Sequence, residues 1–220
     1  MKPDKYPVTA TTTPARLAER ASYDRQSVHE VLDEALICHV AYVRADRPVL
    51  IPTIHARVGE RLYLHGSTGA SVARTAGAEG LAVCVVVTVV DGLVLARSAF
   101  HHSMNYRSVV VHGVARLVTD QAERSVALDG VVDHVWAGRS GQCRPPSRKE
   151  LAATSVLALD LLEVSAKVRN GDPVDDPADL DGPWWAGVVP VRVTYGEPEP
   201  AADLLPGRDG GRAVRSADGS

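Results

Sequence analysis

Valine occupies 33 positions of this 220-residue chain, against 3 Ile, 2 Met and a single Phe. A branched Cβ stiffens χ1 in a helix and suits a pleated surface, so a core drawn from valine favours strands. An all-helical bundle is thereby excluded. At 45% hydrophobic and 23% charged residues the chain is globular rather than disordered, and its length suits one generous domain. A net charge of -3 and a pI near 6.2 argue against a partner bound through overall positive charge, so no nucleic acid is expected. Residues 1–6 hold no apolar signal core. The longest apolar stretch, residues 81–90, is about half of the ~20 residues a membrane helix needs. Cys38, Cys84 and Cys143 are far apart and form no C-x-x-C pair, which fits free thiols in a reducing cytoplasm. The expectation is a cytoplasmic protein without a membrane partner.

The pattern along the chain divides it into an N-terminal extension (residues 1–25), one domain (26–196) and a disordered tail (197–220) rich in Pro, Gly, Asp and Arg. Ser27 and Glu30 are spaced as a capping box for a helix whose apolar stripe is Val28, Val31, Leu32, Ala35 and Leu36. A meander follows: a strand over 37–43, a turn at Asp46-Arg47-Pro48, a strand over 49–58, and a third over 62–65 that Gly66 to Gly69 ends. Small residues 70–78 suit one or two helical turns. Residues 81–90, apolar at nearly every position, read as a strand covered on both faces. Asp91-Gly92 is a strong hairpin signal, returning through 93–100. Further strands are expected over 108–118, with Gly113 a place of close approach, and over 156–168 and 188–195. Asp120 with Glu123, and Ser147 with Glu150, cap two more helices. Together these elements predict a mainly β, α+β fold: a small closed β-barrel with flanking helices.

Chemistry concentrates in four places. His55, His65, His101, His102 and His112 stand on or beside strands, but adjacent strand residues face opposite ways and no fixed-spacing metal motif occurs, so no metal is assigned. Gly66 to Gly69 lacks a full nucleophile elbow; it reads either as a plain loop or as a nest of backbone N–H groups for an anion, with Arg74 one helical turn on. Residues 99–108 place polar side chains, Tyr106 and the sole Phe between two apolar strands. Lys167 and Arg169 share one strand face and repel unless an anion or acidic group lies between them. Trp184 and Trp185 either plug the barrel end or stack on a flat ligand. A nest, two cations and an aromatic wall suit a phosphorylated planar cofactor.

Residues 93–110, running through Phe100, His101, His102, Ser103, Met104, Asn105, Tyr106 and Arg107, resemble the signature of flavin-nucleotide-binding proteins related to pyridoxamine 5′-phosphate oxidase, close to the nitroimidazole-resistance group. Ile51-Pro52-Thr53, Leu62 to Ser67, Ser165 to Arg169 and Trp185 to Pro190 stand in the same order, so the resemblance spans about residues 25–195. It implies an FMN-binding split barrel, a homodimer with two flavins across its interface, and a small-molecule substrate reduced or oxidised with a nicotinamide nucleotide as electron partner. Carried over by position, Pro52 and Thr53 contact the isoalloxazine edge. His65, Gly66 and Ser67 begin the phosphate and ribityl site. Asn105, Tyr106 and Ser108 lie near the flavin, Lys167 and Arg169 supply positive charge, and Trp185 borders the ring. Where relatives carry Ser-Arg after His-Gly-Ser, this chain has Ala70-Ser71, leaving Arg74 as the substitute phosphate ligand. No catalytic residue is assigned; His101, His102 and Tyr106 are candidates. The alternatives are a non-catalytic flavin- or haem-binding protein, for which His65 and His101 are ligand candidates, and a deazaflavin-dependent reductase on the same barrel.

Overall fold

The computed structural model describes residues 4–69, 71–76, 79–205 and 207. In chain order they form β1 (Ala21–Ser22), α1 (Arg25–Glu34), β2 (Cys38–Arg44), β3 (Arg47–Thr53), β4 (His55–Val58), β5 (Arg61–Ser67), α2 (Ser71–Ala76), β6 (Leu81–Leu95), β7 (Ser103–Leu117), α3 (Gln121–Val135), α4 (Arg148–Ala153), β8 (Thr154–Asp160), β9 (Glu163–Arg169) and β10 (Gly187–Pro190). The fold is mainly β with flanking helices, as valine dictates. All pairings are antiparallel, in the order β3-β2-β6-β7-β8-β5-β4, with β9 on β7, β10 on β6 and β1 on β9.

The long strands β6 and β7 organise everything else by changing partners along their length. β6 pairs β2 through residues 84–86 and β10 through 92–95, while β7 pairs β9 through 106–112 and β8 only at Arg116 and Leu117. The barrel is split rather than closed, because the path ends at β3 and β4. The expected strand over 49–58 divides at Ile54, its first part pairing β2 and its second β5. Helix α1 lies against β4, β6, β7 and β9 and carries Val28, Val31 and Leu32 into the core beside Val40, Val85, Val87, Val109 and Val111. Burying each such side chain is worth about 1.5–3 kcal/mol. A satellite cluster of Tyr63, Val118, Ala127, Val156 and Ala158 seats α3 on the other side of β5 and β8.

Several local expectations are corrected. Asp91-Gly92 makes no hairpin: β6 runs through it with a bulge between Val90 and Gly92, and the chain turns at residues 96–102. A type I′ turn needs positive φ at both central residues, which Gly92 lacks and which Ala45 and Asp46 (φ 49° and 58°) adopt between β2 and β3. Gly92 serves instead for close approach, since a Cβ there would meet Val188 at 2.9 Å. Gly113 is used in the same way, with Leu159 at 2.8 Å. Residues 81–90 alternate buried and outward-facing positions instead of being covered on both faces. The third strand continues to Ser67, the 156–168 run breaks into β8 and β9 around Leu161 and Leu162, and the last strand stops at Pro190. Helix α1 starts earlier than the Ser27–Glu30 box implied, because the Asp24 carboxylate accepts from the Ser27 N–H at 2.8 Å; α3 and α4 are capped as expected by Asp120 and by the Ser147–Glu150 box. In the N-terminal extension Tyr6 and Thr12 are buried and β1 joins β9. Of the expected tail, residues 206 and 208–220 lie outside the described ones. Among the described residues no helix is long and apolar enough to cross a membrane.

Two histidines tie α1 to α3. His55 is fully buried and its Nε2–H donates to the Leu32 carbonyl at 2.8 Å; His134 Nε2–H donates to the Ala35 carbonyl at 2.9 Å, and the two rings meet at a 49° tilt with centroids 4.6 Å apart. Burial pushes the His55 imidazole down from its ordinary 6.5 to about 4, so the folded state holds it neutral. Its contribution to stability is complete above about pH 6.5 and is lost as pH falls toward 4, about 3 kcal/mol in all. Urea midpoints measured from pH 7.5 to 4.5 are expected to fall accordingly. In His55→Gln the dependence should flatten, although that variant is less stable at pH 7.5.

Candidate functional site

The outward face of the main sheet gathers one group of residues. Alternation along β7 puts Tyr106 and Ser108 on this face, and the register sets Ser108 between Thr88 of β6 and Lys167 of β9. The next row across is Pro52, His39, Val86, Val110 and Ser165. Lys167 is half-buried, and its Nζ donates to the Arg16 carbonyl at 3.1 Å. Arg169 ends β9 and donates to Asn105 Oδ1 and to the carbonyls of Gly171 and Asp172, both at 3.2 Å. Asn105 is buried behind this face and also accepts from the Gly171 N–H at 3.1 Å, so it positions Arg169. Among the described residues both cations meet only neutral oxygens. The strand face therefore keeps a positive potential that an anionic ligand would satisfy.

Trp185 stands at the end of this face. Its indole rests on Gly187, where a Cβ would come within 2.8 Å of Cζ2, and Gly187 pairs with Leu95 of β6. Trp184 lies on Gly182 in the same way. The loop before them is clamped by Asp175, whose carboxylate accepts from the Arg97 N–H (2.9 Å), the Arg97 guanidinium (3.0 Å) and the Ser98 N–H (3.4 Å). Thr53 is half-buried, and its hydroxyl donates to the Ile54 carbonyl at 3.4 Å.

His65 belongs elsewhere. With Tyr63 it faces α3 from β5, across the sheet from the main core, and it opens on a cavity of about 420 Å³, apolar at Leu128, Val131, Val132, Pro145, Pro146 and Leu151 and charged at Asp129, Arg144 and Glu150. That volume is within the range of small-molecule sites, ~300–1,000 Å³. His65 Nδ1 is buried without a hydrogen-bond partner, a costly arrangement for a polar atom, and burial pulls the imidazole's pKa downward. A neutral ring keeps a lone pair available to a metal. Among the described residues no three His, Cys, Asp or Glu side chains gather as a protein-held metal ion would require.

The segment after His65 offers less than the sequence suggests. Gly66 and Ser67 continue β5 opposite Ser155 and Thr154, the Thr68 N–H donates to the Ala153 carbonyl at 3.0 Å, and the Gly69 N–H donates to Ser67 Oγ at 3.2 Å. Two of the nest's backbone donors are thus engaged within the chain. Arg74 is exposed on α2; Ala70 and the Ser71 side chain lie outside the described residues. His101 is 3.4 Å from Asp176, and the ring of His102 meets the Ser98 carbonyl at 3.0 Å; both sit at the turn between β6 and β7. The sequence did not mark the wall that α3 builds opposite His65. Its only signal there was the apolar spacing of Ala127, Leu128, Val131 and Val132.

The split barrel thus carries cations bonded only to neutral oxygens on its outward sheet face, and a cavity beside an unpartnered imidazole nitrogen under α3. The pyridoxamine 5′-phosphate oxidase family profile matches residues 24–168, and the chain belongs to that family. It is similar to the flavocytochrome Anf3 from Azotobacter vinelandii, at 37% identity and a TM-score of 0.84, over 90% of this chain and 92% of that one. It is equally similar to the FAD and haem binding protein from Mycobacterium smegmatis, at 39% identity and a TM-score of 0.83, over 89% and 96%. Among curated protein sequences no match is found.

Proposed function

We propose that this chain is a flavin- and haem-binding redox protein, with the flavin on the outward sheet face and the haem on His65. The observation that carries the reading is His65 itself: a buried, partnerless imidazole nitrogen beside a mainly apolar cavity large enough for a planar ligand. The two relatives above 35% identity support it, one a flavocytochrome and the other a protein named for binding FAD and haem. When bound, the flavin supplies one- and two-electron chemistry and the haem one-electron chemistry. The chain's part is to hold and tune them. Lys167 and Arg169 would balance negative charge on the flavin, Tyr106, Ser108 and Pro52 would line its plane, and Trp185 would shield one end. His65 would hold the haem iron through its imidazole, and the apolar residues of α3 that line the cavity would limit the access of water.

The sequence resemblance implies FMN. The FAD-binding relative favours FAD instead. A nicotinamide nucleotide is the proposed electron donor, the small-molecule acceptor being outside this reading. We place the protein in a reducing cytoplasm, where Cys38, Cys84 and Cys143 are free. A second copy is the proposed cover for the outward face, where Val43, Leu50 and Val114 are all more than half exposed. The test is the absorption spectrum of the purified protein before and after adding FAD, FMN and haem. Flavin bands together with a Soret band are expected; a protein that stays colourless with all three overturns the proposal.

A further inference from the structure

A second cavity, of about 290 Å³, adjoins the one at His65; Leu151 and Thr154 line both. Its wall is mixed, with the hydroxyl-bearing residues Thr68, Thr119, Thr154 and Ser155 and the aliphatic Leu117, Val118, Leu151 and Ala152 around Arg124 of α3. We propose that Arg124 and this hydroxyl shelf receive the carboxylates of the haem seated on His65, an inference that rests on the haem reading above.

Three observations lead there. First, Arg124 is half-buried and held in place, because its Nη2 donates to the carbonyls of Leu151 at 2.7 Å and Thr154 at 2.8 Å. A guanidinium has five N–H donors, so with Nη2 engaged those on Nε and Nη1 remain for a ligand. Second, no carboxylate neutralises it among the described residues. The adjacent Glu123 is committed to Arg61, Arg116 and the Tyr63 hydroxyl, and Glu150 is committed to Arg144. A half-buried cation that meets only carbonyl oxygens is incompletely compensated, and its remaining donors on Nε and Nη1 can give single charge-assisted hydrogen bonds to a carboxylate. Third, the spacing is right. His65 pairs with Val156 and Ser67 with Thr154, so the imidazole and the edge of the second cavity are two residues apart along β5, roughly 7 Å. A porphyrin has this layout, with a central metal and two carboxylates on one edge, and an apolar body between them.

The test is a titration of haem into haem-free protein, followed by the Soret band, for the native chain, Arg124→Gln, Arg124→Lys and His65→Ala, repeated with haem dimethyl ester. Arg124→Gln should weaken haem by about 10-fold or more, equivalent to about 1.4 kcal/mol, and leave the ester unchanged. Arg124→Lys should fall between Gln and the native chain. Unchanged ester binding also shows that the variant is folded around an intact His65 cavity. Equal haem affinity in the native and Gln proteins overturns the proposal, as does equal weakening of haem and ester, which marks a structural role. If His65→Ala loses haem while Arg124→Gln keeps it, the haem reading survives and the carboxylate site does not. If the native chain binds neither haem nor ester, both fall.

Discussion

Substituting His65 by Ala is expected to remove haem binding and to leave flavin binding as it was. The imidazole lines the cavity under α3 beside Leu128, Val131 and Val132, and burial lowers its pKa, which favours the neutral ring whose lone pair can bind a metal. Loss of an outer-shell partner typically weakens metal binding by about 10–100-fold, and loss of the ligand itself should exceed that. Little structural cost is expected, since the ring makes no hydrogen bond among the described residues and deleting it strands no partner. The measurement is the Soret band of the purified variant beside its flavin absorbance. A variant with an undiminished Soret band would place the haem elsewhere. Simultaneous loss of both cofactors would mean that His65 supports the fold.

The reciprocal result is expected for Lys167→Met combined with Arg169→Met. Each removed cation is half-buried and bonded only to neutral oxygens, so no carboxylate is stranded by its removal. Hydrogen bonds to a charged group are worth about 1.5–3 kcal/mol, and partial exposure trims that, so the pair should account for about 100-fold in flavin affinity. Rising salt should weaken flavin binding to the native chain more than to the variant, since screening acts on what the variant lacks. Fluorescence titration with FAD and FMN reads both effects. Haem binding should be untouched, because β9 and the His65 cavity lie on different faces of the barrel. Equal flavin affinity in the variant and the native chain would remove these cations from the site.

How legible all this was in the sequence depends on how far apart the interacting groups lie. Lys167 and Arg169 share a face because they are two residues apart on one strand, and a period of two is visible in any strand. The caps of α3 and α4 are equally local: Asp120 and Glu123, or Ser147 and Glu150, are three residues apart. Asp91-Gly92 misled because turn propensity is a local preference, and the pairing of β10 with β6 overrides it. Which face each strand turns its residues toward is hidden for the same reason. Pro52, His65, Tyr106 and Lys167 follow one another in a family motif, but the sequence does not say that β5 turns His65 toward α3 while β7 and β9 turn theirs outward.

Valine's branched Cβ made this chain a strand former before any contact was drawn, and the family motif named the kind of cofactor it suits. Those are properties of single residues and of short spacings, which the chain carries whatever its fold. The tertiary structure decided where the barrel opens, which cations escape neutralisation, and that His65 faces a mainly apolar cavity with one ring nitrogen unpartnered. Each of these depends on which distant strands become neighbours, and that is settled by burying the Val-rich faces around α1 rather than by any local preference.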